Sequence, residues 1–433
     1  MKRLLVICAA LGAATAPGLP GLAAQQATVA FVDVSVVPMD AERVLEHQTV
    51  VVQNGKITAL GPAAQVPVPA NATRVDGRGK YLVPGLTEMH GHLTQPNAPY
   101  SPETVLFLYV AGGVTTVRGM QGHPSHLELR RRVEAGELIG PRLFLSSPPM
   151  SGNNTTNPDT AAQRVRAAKQ AGYDHIKVHE NLTREVYSAI ARTGREVGMP
   201  WAGHVSSFVG VTGALEEKQA TIDHLDDYVE AIENNPVNIP AIAQKTKAAG
   251  VAVVPTMPLW EVLRGLHAPE TMKDRTELQY VPAQMRQNWA NQVATMHSQA
   301  NQQAARAEIN LRNQLLKGLS DAGVLILLGS DAPQLYSVPG FSLQREMETM
   351  VAAGMTPYQV LQSGTANVAR FYKLESEAGT VAVGKRADVL LVDGNPLADI
   401  TNMARKAGVM VRGRWLPWPE IQTRLDQISA QYK

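Results

Sequence analysis

The sequence predicts an α/β protein, with a central (β/α)8 barrel and a small β-sandwich built from both ends of the chain. Apolar runs alternate with helical segments between residues 84 and 375, which is typical of parallel strands joined by crossover helices. Strand-like runs without helices of their own occupy residues 25–83 and return at 376–420. The ends of the middle unit are therefore expected to lie close together.

The first 24 residues have the order of residue types that is typical of a secretory signal peptide. Lys2 and Arg3 precede an apolar run, and small residues follow up to Ala24. The only cysteine, Cys8, lies inside this segment, so the mature chain is expected to lack thiols and disulfides. We expect a periplasmic or secreted protein with no membrane contact after signal removal; an uncleaved membrane anchor is the alternative.

The two terminal segments carry the sandwich prediction. The runs "TVAFVDVSVVPM" and "HQTVVVQNGKITALGP" begin the chain after the signal, and "GTVAVGKRADVLLVDGNP" and "AGVMVRGRWLP" follow the barrel. The Asn-Gly pair within "QNGK" predicts a tight hairpin.

Eight apolar runs in the middle of the chain predict the barrel strands. They are "GLTEMHGHL", "VTTVRGM", "PRLFLSS", "HIKVHEN", "PWAGHVSS", "ATIDHLDD", "VAVVPTM" and "VLILLGSDAP". Helical segments such as "REVYSAIARTGREVG" lie between them and end in glycine, as a helix C-terminus favours. An open doubly wound sheet is the alternative arrangement.

One connection is much longer than the others. Residues 258–323 form a polar, helix-compatible insertion between the seventh and eighth predicted strands. It predicts a lid over the site or a contact in a homo-oligomer, and a solvated helical hairpin is an equal alternative.

The composition restricts the partners. The net charge is +2 and aromatic residues make up 5% of the chain, which argues against a nucleic-acid-binding surface. No segment after the signal is apolar enough to span a bilayer. The expected partner is a small molecule.

Six side chains with metal-binding or proton-transfer chemistry fall at the predicted strands. They are His90 and His92 on strand one, Lys177 on strand four, His204 on strand five, His224 on strand six and Asp331 on strand eight. Each one alone is more often a packing or turn residue. The carboxyl ends of barrel strands meet on one face, however, and six coincidences there favour a shared site.

Histidines at this spacing can bind one cation. His90 and His92 are two residues apart in a strand and so point to the same face, and Gly91 between them leaves room. With an aspartate they suit a borderline ion such as zinc, and two further histidines can hold a second ion.

Two ions need a bridging anion, and Lys177 offers one. A lysine that is desolvated among cations has a lowered pKa, and its neutral amine can react with carbon dioxide to give a carbamate. A divalent ion acidifies water, and Asp331 can take that proton and deliver it to a leaving group. The expected reaction is hydrolysis of an amide, an ester or a lactone.

In these residues the chain resembles the amidohydrolase superfamily of metal-dependent hydrolases, which have a TIM-like barrel, in its binuclear branch with a carboxylated lysine. The motifs are "LVPGLTEMHGHL", "HIKVHEN", "GHVSS", "IDHLDD" and "GSDAP", followed by the terminal "GTVAVGKRADVLLVDGNPLADI". The resemblance implies that His90, His92, carboxylated Lys177 and Asp331 bind the first ion. It implies that Lys177, His204 and His224 bind the second.

Within that superfamily the sequence is most similar to exported Xaa-Pro dipeptidases and ochratoxinase-like enzymes. This similarity implies hydrolysis of the amide bond in a dipeptide or an N-acyl amino acid, with two zinc ions. An esterase or lactonase with the same metals is one alternative, and an exported binding protein without turnover is the other.

Other residues have weaker roles. His179 and Tyr228 are candidate substrate contacts, although packing is the common role for such residues. Glu88 is an extra carboxylate without an assigned role. His123 and His126 are expected to face solvent, and Trp260, Tyr280 and Trp289 are expected to line a lid or pin it to the barrel.

Overall fold

The computed structural model describes residues 28–432, so the predicted signal peptide, residues 1–24, lies outside the described residues. The strands are β1 (Val29–Val36), β2 (Leu45–Gln53), β3 (Lys56–Pro62), β4 (Thr73–Asp76), β5 (Lys80–Pro84), β6 (Leu86–Gly91), β7 (Val114–Gly119), β8 (Arg142–Leu145), β9 (Ile176–Val178), β10 (Trp201–Gly203), β11 (Thr221–Asp223), β12 (Ala252–Val254), β13 (Val389–Asp393), β14 (Lys406–Val411) and β15 (Arg414–Pro417).

The α-helices alternate with strands only in the middle of the chain. They are α1 (Pro102–Ala111), α2 (Pro124–Glu134), α3 (Pro158–Ala171), α4 (Arg184–Val197), α5 (Gly210–Glu216), α6 (Tyr228–Ala231), α7 (Ile239–Ala249), α8 (Met257–Leu263), α9 (Pro269–Met272), α10 (Ala283–Gln299), α11 (Gln302–Asp321), α12 (Ser342–Ala352), α13 (Pro357–Gly364), α14 (Ala366–Tyr372) and α15 (Trp418–Gln431). None of the described helices is long and apolar enough to cross a membrane.

Both ends of the chain meet in one sheet, as the terminal runs predict. Its eight strands follow the order β15-β14-β13-β5-β1-β2-β3, with β4 beside β1. Strand β5 hydrogen-bonds to both β1 and β13 and so joins the two terminal segments. The ring of Phe31 on β1 lies 5.0 Å from that of Trp415 on β15, four strands away in this order. The sandwich stays a prediction. The predicted hairpin is present: Asn54 and Gly55 both adopt positive φ between β2 and β3.

The middle of the chain contains two parallel sheets. One has the order β6-β7-β8 and the other β12-β11-β10-β9. The helices between them have the caps expected from the sequence. In α4, for example, the Thr183 side chain accepts from Val186 N, and Gly198 ends the helix in the left-handed conformation.

The eighth predicted strand is not a regular strand. In residues 324–333, Ile326 forms an isolated parallel bridge with Val253. Leu328 N donates to Ser363 O instead of to a neighbouring strand, and Asp331 has a φ of 62°. The segment therefore leaves the strand conformation just before its functional residue.

The insertion is shorter than predicted. Helix α11 packs against α7 and buries Leu315, Leu316 and Leu319, which is the role of the crossover helix before the eighth segment. The extra part of 258–323 therefore ends before Gln302. Helix α15 (Trp418–Gln431) crosses the predicted sheet boundary at 420, and Ile421 and Leu425 on it are buried.

Candidate metal centre and active site

The floor of the site is formed by buried charged groups on the parallel strands. His90 Nδ1 lies 2.7 Å from Asp223 Oδ2, so this nitrogen is the donor and Nε2 is left with a lone pair. Arg118 of β7 donates from Nη2 to both oxygens of Asp223, at 3.1 and 3.0 Å. His90 is thereby held in one orientation, with Nε2 3.4 Å from Lys177 Nζ.

Asp331 meets three of the predicted histidine ligands. Its Oδ1 lies 2.9 Å from His92 Nε2 and 3.6 Å from His90 Nε2, and its Oδ2 lies 3.6 Å from His224 Nε2. One ligand atom each from His90, His224 and Asp331 all lie within 4.8 Å of one another. A backbone hydrogen bond also holds these residues together, because Asp331 N donates to His90 O at 2.8 Å.

Several of these atoms have the environment that a metal ion requires. His224 Nε2 is buried and makes no hydrogen bond, and the buried atoms His92 Nε2 and Asp331 Oδ1 face each other as an ion pair at 2.9 Å without hydrogen-bond geometry. Buried polar atoms are seldom left without a partner. Burial also lowers the pKa of His224 to about 3, which keeps its imidazole neutral and able to bind a cation. The residues present therefore fit a divalent metal.

His204 and His224 form the other side of the site. Their ring centres are 4.6 Å apart, and each ring is fixed through Nδ1. His204 Nδ1 lies 2.7 Å from Asp226 Oδ2, and His224 Nδ1 lies 2.8 Å from Thr256 Oγ1. Such contacts orient the Nε2 atoms for metal binding.

Lys177 lies between the two groups of histidines. Its side chain is 2% exposed, and burial lowers the pKa of its amine below the ordinary value. On the neighbouring strand, a Cβ at Gly203 would lie 2.9 Å from Lys177 Cδ, so glycine leaves the space in which the lysine side chain runs. A buried amine with a lowered pKa is the state that the predicted carbamate requires.

Glu88 has a structural role. Its Oε1 accepts from His90 N at 3.0 Å and from Ser330 N at 2.8 Å, and Ser330 Oγ donates to its Oε2 at 2.5 Å. Burial raises the pKa of Glu88 to about 8. The carboxyl thus joins β6 to the residue that precedes Asp331, outside the lining of the cavity.

A cavity of about 330 Å³ opens above these groups. Its lining comprises His90, His92, Met120, Gln121, Pro149, Lys177, His179, Glu180, His204, His224, Asp226, Leu259, Trp260, Leu263, Asp331 and Gln334. All six predicted ligand residues are among them. Leu259, Trp260 and Leu263 come from α8, so the insertion supplies an apolar wall.

The two candidate substrate contacts have different placements. His179 lines the cavity, with its ring centre 4.2 Å from that of His204. Tyr228 does not line it, because its side chain is buried and its hydroxyl lies 2.9 Å from Thr246 Oγ1. The structure therefore gives Tyr228 a packing role and leaves His179 as the candidate.

The remaining predictions concern three aromatic side chains of the insertion and one histidine of α2. Trp260 lines the cavity, whereas Tyr280 and Trp289 are buried, with their rings beside Phe341 and Tyr336, which follow the eighth segment. The prediction that His126 faces solvent is wrong, because its side chain is buried and burial lowers its pKa to about 4. His126 is the third residue of α2, on the helix face that also buries Leu129.

The sequence reasoning missed the residues that orient the ligands. Asp223, Asp226, Thr256 and Arg118 all contact a ligand histidine or its partner. Two of them carried a usable signal. Arg118 is a charge inside the apolar run "VTTVRGM", and Asp223 precedes His224 in "ATIDHLDD"; a charge inside a buried strand needs a partner.

The family assignment follows from a match over most of the chain. The sequence profile of the Amidohydrolase family matches residues 81–416. The chain belongs to this family. The predicted resemblance to this family is thereby confirmed. Amidohydrolases generally bind divalent metals, in agreement with the cluster of His90, His224 and Asp331.

Individual relatives of this amidohydrolase are distant and have mixed names. An adenine deaminase from Rubrobacter xylanophilus is 22% identical over 392 residues, which cover 86% of this chain and 55% of that protein. An imidazolonepropionase from Shewanella sp. strain ANA-3 is 23% identical over 407 residues, covering 84% of this chain and 92% of that protein. The chain thus spans about half the length of the first of these relatives.

Solved structures are similar over nearly the whole chain. A Xaa-Pro dipeptidase with bound methionine has a TM-score of 0.69 and 19% identity, covering 90% of this chain and 100% of that one. The ochratoxinase of A. niger has a TM-score of 0.65 and 16% identity, covering 91% of this chain and 96% of that one. At these identities the likeness shows the fold.

Proposed function

We propose that this amidohydrolase uses a binuclear metal centre to hydrolyse the amide bond of a small dipeptide or an N-acyl amino acid. One observation carries the proposal. The six side chains come from distant parts of the chain and line one cavity. Several of their buried atoms that could bind a metal make no hydrogen bond. The names of the similar dipeptidase and ochratoxinase structures are consistent with such substrates.

We infer that β6 to β12 and residues 324–333 close into an eight-stranded barrel. Backbone hydrogen bonds support each missing junction. Ser147 N donates to His175 O at 2.8 Å between the two sheets, and Val253 N donates to Leu325 O at 3.0 Å. On the other side of the eighth segment, Met89 N donates to Leu328 O at 2.8 Å.

The ligand sets follow from these positions. His90, His92, Lys177 and Asp331 would hold one ion, and Lys177, His204 and His224 would hold the other, with zinc as the expected metal for this mixture of nitrogen and oxygen ligands. When bound, the divalent ions supply polarisation of a carbonyl and acidification of water. Lys177 would belong to both sets as a carbamate, which would form when its neutral amine adds to the carbon of carbon dioxide and releases one proton to water.

Asp331 is the group that moves the proton. Burial tends to raise its pKa, but electrostatic interactions with neighbouring groups, His92 first, outweigh burial and lower the pKa to about 2. The carboxylate is therefore ionised at neutral pH and can accept a proton. It can then deliver that proton to the departing nitrogen, which must leave as an amine.

The cavity supports a small substrate. A volume of about 330 Å³ lies at the lower end of the range for small-molecule sites. Leu259, Trp260 and Leu263 form its apolar wall, whereas His179 and Glu180 supply polar groups beside the metal ligands. A side chain of the substrate can pack on the wall while the scissile bond faces the floor.

The substrate class is tested by parallel assays of the zinc-loaded enzyme. A library of Xaa-Pro and other dipeptides, a set of N-acyl amino acids and a set of lactones and esters are compared by kcat/KM. We expect the amides to be the best substrates. Turnover of the lactones or esters alone would assign the esterase alternative, and tight binding without turnover of any class would assign the binding protein.

Export is a separate part of the proposal and rests on the order of residues 1–24. We expect the mature protein in the periplasm or the medium, with its first residue near position 25. N-terminal sequencing of the fractionated protein checks this. An intact N-terminus in the membrane fraction would assign the anchor alternative.

A further inference from the structure

Arg118 is an almost fully buried cation below the metal centre. Its side chain is 1% exposed, it lies on β7, and it does not line the cavity. A buried guanidinium is costly unless its donors are paired. The contacts that pair it all lead toward one predicted metal ligand.

The first contact is with the carboxylate that orients His90. Arg118 Nη2 donates to Asp223 Oδ1 at 3.1 Å and to Oδ2 at 3.0 Å. The same Oδ2 lies 2.7 Å from His90 Nδ1. Arg118, Asp223 and His90 thus form a chain in which the position of each group depends on the one before it.

The second contact is with the backbone beside that ligand. Arg118 Nε donates at 2.5 Å to the carbonyl oxygen of Met89, the residue that precedes His90. Arg118 therefore fixes the backbone before His90 and the partner of the His90 ring with one rigid planar group.

The third contact fixes the carboxylate itself. Arg118 Nη1 donates to Thr221 Oγ1 at 2.9 Å, and this hydroxyl donates to Asp223 Oδ1 at 2.6 Å. Both oxygens of Asp223 are therefore held, and rotation of the carboxylate away from His90 would break these bonds.

From this geometry we infer that Arg118 is a positioning residue that sets the affinity of the metal centre by holding His90 through Asp223. The inference rests on the proposed metal-dependent function. Arg118 touches neither the substrate nor the reacting atoms. Its planar fork reaches three different groups, which a lysine ammonium in the same space does not do.

The test measures metal retention, which does not depend on turnover. The zinc-loaded enzyme and its variants are dialysed against a graded series of zinc buffers, and the bound zinc is quantified. We expect R118M to bind zinc about 10- to 100-fold more weakly, the usual effect of losing a group that supports a ligand, with partial rescue in R118K. Arg130 pairs with Asp174 away from the site, so R130M is the matched control and should keep the wild-type affinity.

A double-mutant cycle separates positioning from a general effect on the fold. If Arg118 acts largely through Asp223, adding R118M to D223N should lower the zinc affinity by much less than R118M does in the wild type, because that path is already broken and only the contact with Met89 O remains to be lost. Full additivity of the two losses, or wild-type affinity in R118M, would overturn the inference. The visible spectrum of the cobalt-substituted protein should change in R118M and stay unchanged in R130M.

A milder variant keeps the test valid if R118M does not fold. T221V removes the hydroxyl that links Arg118 to Asp223, and we expect a loss of about 2- to 10-fold in zinc affinity; wild-type affinity in T221V would contradict the inference. Failure of the substrate proposal is a different result. In that case the order of zinc affinities holds while no amide is hydrolysed.

Discussion

The floor and the mouth of the cavity are built in different ways. The floor, which we define as Arg118, His90, Lys177 and Asp223, lies on parallel strands and is 0–2% exposed. The mouth, defined as His179, Leu259, Trp260 and Leu263, belongs to a loop and to α8 at the start of the insertion. The difference leads us to expect that the register of the strands places the metal ligands, and that the segment added between two strands influences the choice of substrate.

The largest effect is expected where proton transfer takes place. D331N should lower kcat by about 10²- to 10⁴-fold, because the amide cannot accept and return the proton, while KM changes little. Steady-state kinetics at saturating zinc measure this. Asp321 forms an exposed ion pair with Lys317, so D321N is the control. An unchanged kcat with weakened substrate binding in D331N would contradict the role of Asp331.

The next effect tests the bridging anion on the floor. K177A should lose at least about 10²-fold in kcat/KM, as expected when a residue that orients a metal is lost, and should bind fewer than two zinc ions per chain. Added short-chain carboxylic acids should restore part of the rate, since they supply the missing carboxylate.

The exposed Lys169 of α3 gives the matched control K169A. A fully active K177A enzyme would remove the carbamate from the account. Loss of activity without any loss of zinc would instead assign Lys177 a role in catalysis apart from bridging.

A buried carboxyl behind the floor should make stability depend on pH. Burial raises the pKa of Glu346 in α12 well above the ordinary value, and the nearby carboxyls of Glu88 and Glu261 act in the same direction. The folded protein keeps this proton when the unfolded chain releases it, so the contribution is complete below pH ~4.3 and declines as the pH rises above it.

The substitution E346Q should remove this pH-dependent decline in the free energy of unfolding. The unfolding free energy of the wild type relative to E346Q should fall by about 1.4 kcal/mol per pH unit above that point, as measured by urea titration at several pH values. Glu348 on the same helix is exposed, and E348Q should keep the wild-type profile. Parallel pH profiles for E346Q and the wild type would show that Glu346 is ionised in the folded protein.

The smallest effect is expected at the mouth. The Trp260 ring packs 3.5 Å from the Arg312 guanidinium carbon and lines the cavity. W260A should raise KM about 5- to 10-fold for substrates with an apolar side chain and leave kcat nearly unchanged, because the wall binds the ground and transition states equally. F208A alters an exposed aromatic outside the cavity lining and is the control; an equal loss in kcat would place Trp260 in the chemistry.

The sequence predicts the metal-ligand residues better than the residues that orient them, for a physical reason. His90 lies in β6 and His92 directly follows it; side chains alternate between faces along a strand, so a spacing of two residues indicates a common direction. Lys177 lies in β9, and His204 and His224 directly follow β10 and β11. Their meeting point requires only that parallel strands end on one face.

The remaining contacts depend on pairings that spacing does not encode. Arg118 and Asp223 are about a hundred residues apart, and only the register of β7 and β11 within the fold brings them together. The pairing of β5 with β13, which joins the two terminal segments, is equally non-local. The length of the insertion was predicted as 258–323 because α11 has a polar surface that is typical of an inserted helix. The same helix also has the apolar face of a crossover helix.

Zinc content measured alongside activity tests the central claim most directly. The purified enzyme is stripped with a strong chelator, and zinc is returned stepwise while amide hydrolysis and bound zinc are both recorded. The account predicts loss of activity with the metal and full recovery at two ions per chain. Undiminished hydrolysis by a chain that retains no metal would contradict it.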